Sequence, residues 1–282
     1  MRIISRRQAL LTLGSAAAGI AAASRTPNTD TSLVPERPID VYAKIRASLR
    51  DERVPAWYRG HVFVALEGEI PRAVLGVEGF SFSRYTRRGD GAWDTKLVEV
   101  GYFSDVNSGT IVDQITNPLT GKMIKPQHFK SPVQTFVAQA DGSVISPYAL
   151  KPPSQFSGHI WPPFRQGSEI WVDEDTLAKL TGDQLPPGVR VESPNRVLTL
   201  GSMTTYRAAA SDVGNPRLAN APCTFHLQEL GTLPNWLEMG DVHGNEMWRL
   251  SGRKISSPAE LPKPLLERIM RDHPTFLSKP EI

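Results

Sequence analysis

Cysteine is almost missing: Cys223 stands alone, so no disulfide can close within the chain and the fold must rest on its core. Long apolar runs are missing too. A membrane helix takes roughly 20 apolar residues, and the longest weakly apolar segment, Ala9 to Ala23, falls short of that. Spaced-glycine nucleotide fingerprints are absent, and no repeat of roughly 20–50 residues recurs. The six histidines are scattered with no His-x-x-x-His or His-x-Glu pattern, and Cys223 has no neighbouring thiol. Spacing therefore announces no zinc site. There is no Gly-x-Ser-x-Gly elbow, so a covalent serine mechanism has no signal either.

An excess of one charge is lacking once the first residues are set apart. Residues 1–23 carry Arg2, Arg6 and Arg7 and no acid; without these three, 29 of the 32 basic residues remain against 29 acidic ones. A neutral body gives no nucleic-acid footprint. The leading segment itself is informative. Ser5-Arg6-Arg7-Gln8-Ala9-Leu10-Leu11 resembles a twin-arginine export signal, and Ala21-Ala22-Ala23 offers the small residues a signal peptidase needs. The expected organisation is a leader over 1–23, a polar tether over 24–38 and one domain over 39–282. The expected location is periplasmic or secreted, with the export machinery as a partner and no stable membrane span after cleavage.

What is abundant is turn chemistry: 24 Pro and 22 Gly, spread along the chain. That load suits many short strands better than a helical bundle. A short helix is expected after Pro38, with Ile39, Tyr42, Ile45 and Leu49 on one side and Lys44, Arg46 and Arg50 mostly elsewhere. Strands are expected over Ala56–Leu66, Ala73–Tyr85, Leu97–Phe103, Thr110–Thr116, Lys122–Phe129, Arg196–Ala209 and Pro222–Leu230. Asp105 to Gly109 and Asn117-Pro118-Leu119-Thr120-Gly121 each place an Asx residue first and a Gly fifth, the pattern of a turn closed by a left-handed residue. Ser146–Gly167 is expected to be irregular, Asp173–Leu180 a short helix, Trp236–Lys254 a hairpin and Pro258–His273 a closing helix. The predicted fold is mainly β, an antiparallel meander closing into a calycin-like barrel with short terminal helices; a β-sandwich is the alternative.

Trp57-Tyr58-x-Gly60, Gly79, Glu99-Val100-x-Tyr102, Asp105 to Gly109, Asn117-Pro118-x-Thr120-Gly121, His128 and Pro132-Val133 come in that order, followed by Trp236-Leu237-x-Met239-Gly240, Gly244, Gly252-x-Lys254 and Leu261-Pro262. Together they resemble the domain-of-unknown-function 1838 family. Ile115 and Ser131 stand where the family often has Trp and Asn. The resemblance implies an exported, mostly β protein and brings no catalytic residues with it.

Glu99 is the acid that stands out. Strand alternation puts Leu97, Glu99, Gly101 and Phe103 on one face and Val98, Val100 and Tyr102 on the other, both largely apolar. A carboxylate buried there could act as a general acid or base; an ion pair with Arg84 or simple exposure is the plainer alternative. His128 would complete a proton-transfer pair if it met the same cavity, and is otherwise a hydrogen-bonded structural residue. Trp57, Trp161, Trp236 and Tyr102 are candidates to line a pocket for an apolar small molecule. The expected function is small-molecule binding in the barrel, with a lyase or isomerase activity based on proton transfer. A non-catalytic carrier or structural protein and a metal-dependent hydrolase are the alternatives. No cofactor is predicted.

Overall fold

Pro38 fixes the first turn of α1 (Pro38–Arg46), and Asp40 in that turn takes a paired hydrogen bond from Arg37 (2.8 and 2.7 Å) and a third from the Trp93 indole (3.0 Å). A computed structural model provides the coordinates, and it describes residues 34–147, 154–180, 198–240, 242–278 and 280–282. The expected leader, the tether up to residue 33 and Lys151-Pro152-Pro153 lie outside the described residues.

Beyond α1 the chain is strand-rich, as its alternating pattern dictates. β1 (Arg53–Leu66), β2 (Arg72–Arg87) and β3 (Trp93–Ser104) form a continuous antiparallel meander. Three small strands follow, β4 (Ile115–Thr116), β5 (Met123–Ile124) and β6 (Phe129–Lys130). The wall then resumes with β7 (Gln134–Ala138), β8 (Ser143–Ile145) and β9 (Gln155–Ile160). After the short β10 (Phe164–Gln166) come β11 (Glu169–Leu180), β12 (Leu198–Ala209), the one-turn α2 (Ala210–Val213), β13 (Thr224–Thr232) and β14 (Gly244–Lys254). The helix α3 (Lys263–Asp272) comes last. β14 pairs with β1, and β9 pairs with β11, so ten antiparallel strands close into a barrel among the described residues. Closure leaves no long open edge. The barrel is the predicted fold, and the sandwich is excluded.

Some expected elements differ. Thr110–Thr116 and Lys122–Phe129 were expected as wall strands; only Ile115–Thr116 and Met123–Ile124 pair, as a separate hairpin. Trp236 lies in a 3₁₀ turn (Asn235–Leu237) and not in a strand. The stretch Ser146–Gly167, expected to be irregular, supplies β9, which closes the wall. Asp173–Leu180 is strand and not helix.

Both ends of the barrel are filled. At one end α1 packs Ile39, Tyr42, Ala43 and Ile45 against Trp93, Val172 and Tyr206. At the other, the β4–β5 hairpin and the Asn235–Leu237 turn close over Val62, Val74, Phe103 and Trp248. The outside of β2 and β3 is covered by α3, where Leu265 and Ile269 meet Phe80, Val98 and Val100. Burial of apolar surface on both faces of β3 follows from its composition.

The second plug is locked by one side chain. Asn117 is fully buried; its Oδ1 accepts from the Leu119 N–H at 2.8 Å and its Nδ2 donates to the Leu237 carbonyl at 2.6 Å. Gly121 takes φ +69° to complete the turn, donating its N–H to the Asn117 carbonyl. The Asn-Pro-x-Thr-Gly and Trp-x-x-Met-Gly motifs therefore dock on each other. Asn117→Ala would leave the buried Leu237 carbonyl without this partner, at about 1–3 kcal/mol, and would also cost the part-buried Leu119 N–H its bond. A fall of about 2–3 kcal/mol in unfolding free energy by urea titration is expected.

Candidate functional site

The middle of the barrel is not solid. A cavity of about 150 Å³ lies between α1 and the wall strands. Its lining is mixed: Phe136, Phe156 and Leu200 supply apolar surface, while Arg46, Glu99, Glu174 and Glu229 bring charge. Phe136 and Phe156 stack with ring centroids 4.8 Å apart. Polar inward residues on β11 and β12 follow directly from this cavity. Glu174 and Thr176, Ser202 and Thr204 all face it, where a packed core would demand apolar side chains.

Glu99 is where the alternation of β3 puts it, buried and facing the interior. Its Oε2 accepts the Tyr58 hydroxyl at 3.0 Å, and Gln134 Nε2 approaches Oε1 at 3.4 Å. The backbone at Glu99 is held by Ser131: Ser131 Oγ accepts the Glu99 N–H at 2.8 Å, and the Ser131 N–H donates to the Glu99 carbonyl at 2.7 Å. Tyr58 reaches Glu99 because Gly79 sits beneath its ring; a Cβ there would collide with Tyr58. Glu99 does not pair with Arg84, which forms a two-bond ion pair with Asp51 (2.6 and 3.0 Å) outside.

His128 does not join it. β6 places Phe129 over Gly101 on the inner face, so the preceding residue turns outward. There the His128 ring lies 5.3 Å from the Tyr102 ring. Its Nδ1 accepts the Phe103 N–H at 3.0 Å, which leaves Nε2 to donate to Asp113 at 3.2 Å. Burial first, then the Arg268 charge, lowers its pKa below the ordinary histidine value. The expectation that Glu99 and His128 share a cavity is thus corrected: the wall of the barrel separates them. His128 is the hydrogen-bonded residue of the plainer alternative.

Nor do the four aromatic candidates line the cavity. Trp57 is on the outer face of β1, its indole donating to Glu78 at 2.9 Å. Tyr102 is outside β3 beneath α3, and its buried hydroxyl has no hydrogen-bond partner among the described residues. Trp161 is half exposed and donates to Asp175 at 2.7 Å on the outer face of β11. Trp236 packs 5.3 Å from Phe103 in the plug. The Pro-rich segment around Trp161 therefore braces the outside of the wall and does not cover a barrel mouth.

Sequence reasoning missed Arg46 and its neighbours. In α1 it reads as one of several surface cations, and nothing in its spacing marks it as inward. In the fold its guanidinium carbon sits 5.4 Å from the Tyr206 ring centroid. The Tyr42 and Tyr85 hydroxyls meet at 3.0 Å, and Tyr206 donates to Glu174 at 3.0 Å. Burial raises the pKa of all three phenols, that of Tyr85 to about 12, so each keeps its proton at neutral pH.

Among the described residues, no three His, Cys, Asp or Glu side chains converge as metal ligands, and no helix is long and apolar enough to cross a membrane. No curated protein matches the chain. The motif resemblance is supported over residues 51–159, which span β1 to the greater part of β9 and include Glu99, Asn117 and His128 but neither Arg46 nor the Trp236 motif: this span matches the model of the family described as "Protein of unknown function (DUF1838)".

Proposed function

We propose that this chain is an exported, periplasmic or secreted protein whose barrel binds a small molecule with an apolar body. The observation that supports this is the cavity of about 150 Å³ between α1 and the wall strands. A pocket of that size accommodates on the order of six to ten non-hydrogen atoms, as an engineered cavity of like volume accommodates benzene. The export route rests on the Ser5-to-Leu11 leader pattern and the small residues at Ala21-Ala22-Ala23.

Within that cavity Glu99 is the group suited to proton transfer, as a lyase or isomerase requires. Two side chains orient it, and the interior shields it from bulk water. His128 has no part in this chemistry. Native mass spectrometry of the purified chain is expected to find a co-purified small molecule. With that molecule as substrate, Glu99→Gln should abolish turnover while the far- and near-ultraviolet circular dichroism stays that of the parent. Undiminished turnover would remove Glu99 from the mechanism. Ligand binding without turnover in the parent protein would favour the carrier reading.

A further inference from the structure

The cavity contains a cation with nothing to hold. Arg46 leaves the last turn of α1 and lines the cavity, yet among the described residues no hydrogen bond or ion pair reaches its guanidinium. It lies over the Tyr206 ring face. Glu174, the carboxylate whose charge acts on it, is engaged by the Tyr206 hydroxyl. A guanidinium does not shed its proton, and its N–H groups, part-buried where they meet the cavity, keep their demand for acceptors.

A second group is also left over. Three phenols surround Arg46, and the protons of two are accounted for. Tyr206 gives its proton to Glu174. In the Tyr42–Tyr85 contact one hydroxyl donates and the other accepts. The accepting hydroxyl keeps a proton of its own for which the described residues offer no acceptor. A guanidinium and a phenol O–H thus sit side by side with acceptor demand unmet, against a wall of Phe136, Phe156 and Leu200.

We propose that Arg46 and the Tyr42–Tyr85 pair seat the carboxylate of a small organic acid, whose apolar body lies along Phe136, Phe156 and Leu200. The planar fork of Arg matches a carboxylate with two parallel bonds. A phosphate is disfavoured relative to a carboxylate, because Glu99, Glu174 and Glu229 on the same wall repel a dianion about twice as strongly as a monoanion, while Arg46 supplies only one positive charge. The proposal rests on the small-molecule reading above and names the class of molecule.

Benzoate, benzamide and toluene separate the two ideas by titration calorimetry on the full chain in a carboxylate-free buffer. All three share an aromatic body, but only benzoate is an anion. Benzoate is expected to bind at least about tenfold more tightly than benzamide, the ratio expected for one charge-assisted pair. Arg46→Gln should abolish that preference and leave toluene binding unchanged. Should Arg46→Gln not fold, Tyr85→Phe removes the paired hydroxyl and should weaken benzoate severalfold while sparing toluene. If benzamide matches benzoate, or if either variant binds benzoate as the parent does, the carboxylate seat is wrong although toluene binding keeps the cavity. If the parent binds none of the three, the small-molecule reading fails with it.

Discussion

Lys254→Met is expected to unlatch α1 and lower the unfolding free energy by about 3–5 kcal/mol, because buried acceptors lose their donor. Lys254 ends β14, and its ammonium donates to the carbonyls of Lys44 (3.0 Å), Ala47 (2.7 Å) and Ala221 (2.9 Å). The Lys44 carbonyl keeps a second donor, the Ala221 N–H at 3.0 Å. The other two would lose the bond Lys254 supplies. Denaturant titration of parent and variant measures the loss, and a change below about 1 kcal/mol would show that water takes over those carbonyls. The latch carries a pH signature. Burial pushes the Lys254 pKa down from 10.5 to about 8. Between those values the unfolded chain binds a proton that the folded chain has released, so this group makes stability rise as pH climbs through the window. The variant should lack that rise. Since α1 carries Arg46 and Tyr42, losing the latch should also weaken any guest of the barrel.

Gly60→Ala should be at least as damaging, by about 3 kcal/mol or more, since both colliding groups are backbone. A Cβ at residue 60 would be driven into the Arg249 carbonyl oxygen, with the Leu250 Cα 2.8 Å away. Neither can rotate aside, so β1 and β14 would have to separate in the middle of their paired run. Gly89→Ala is the control. It has open space around the added carbon and should stay within about 0.5 kcal/mol of the parent. If Gly60→Ala melted with the control, the close approach of the two strands would be refuted.

The sequence made the architecture legible wherever an apolar core sets the pattern. β1 and β13 alternate as half-buried strands must, β2 and β3 are apolar enough to be covered on both faces, and the Asn117 and Asp105 turns close on Gly121 (φ +69°) and Gly109 (φ +69°) as their residues demand. β11 was misread for a physical reason. Its inward residues Glu174 and Thr176 are polar groups facing a cavity, not a packed core, so the expected contrast between inner apolar and outer polar faces is erased. What remained, Asp173-Glu174-Asp175 before Leu177, looked like the first turn of a helix. Glu99 was found because its neighbours are apolar on both faces, a local property. Arg46 could not be found that way. Its orientation depends on how α1 is bolted to Lys254, a residue 208 positions later in the chain. Likewise the two sides of the wall on which Glu99 and His128 lie depend on β6 pairing with β3, which no local pattern states.

The barrel's stitching is uneven, and that has a bearing on traffic. β1 and β14 are matched over eleven residue pairs, whereas β8 meets β7 through only two and β9 through only two. Gln134, Phe136, Val144 and Phe156, all bordering the hollow, belong to this loosely sewn flank. Parting so few rungs takes far less than unseating either stopper. For the guest proposed above, that seam is the expected side door, since it opens with the least loss of backbone pairing, and the pace of its coming and going is then expected to be set apart from how firmly it is gripped inside.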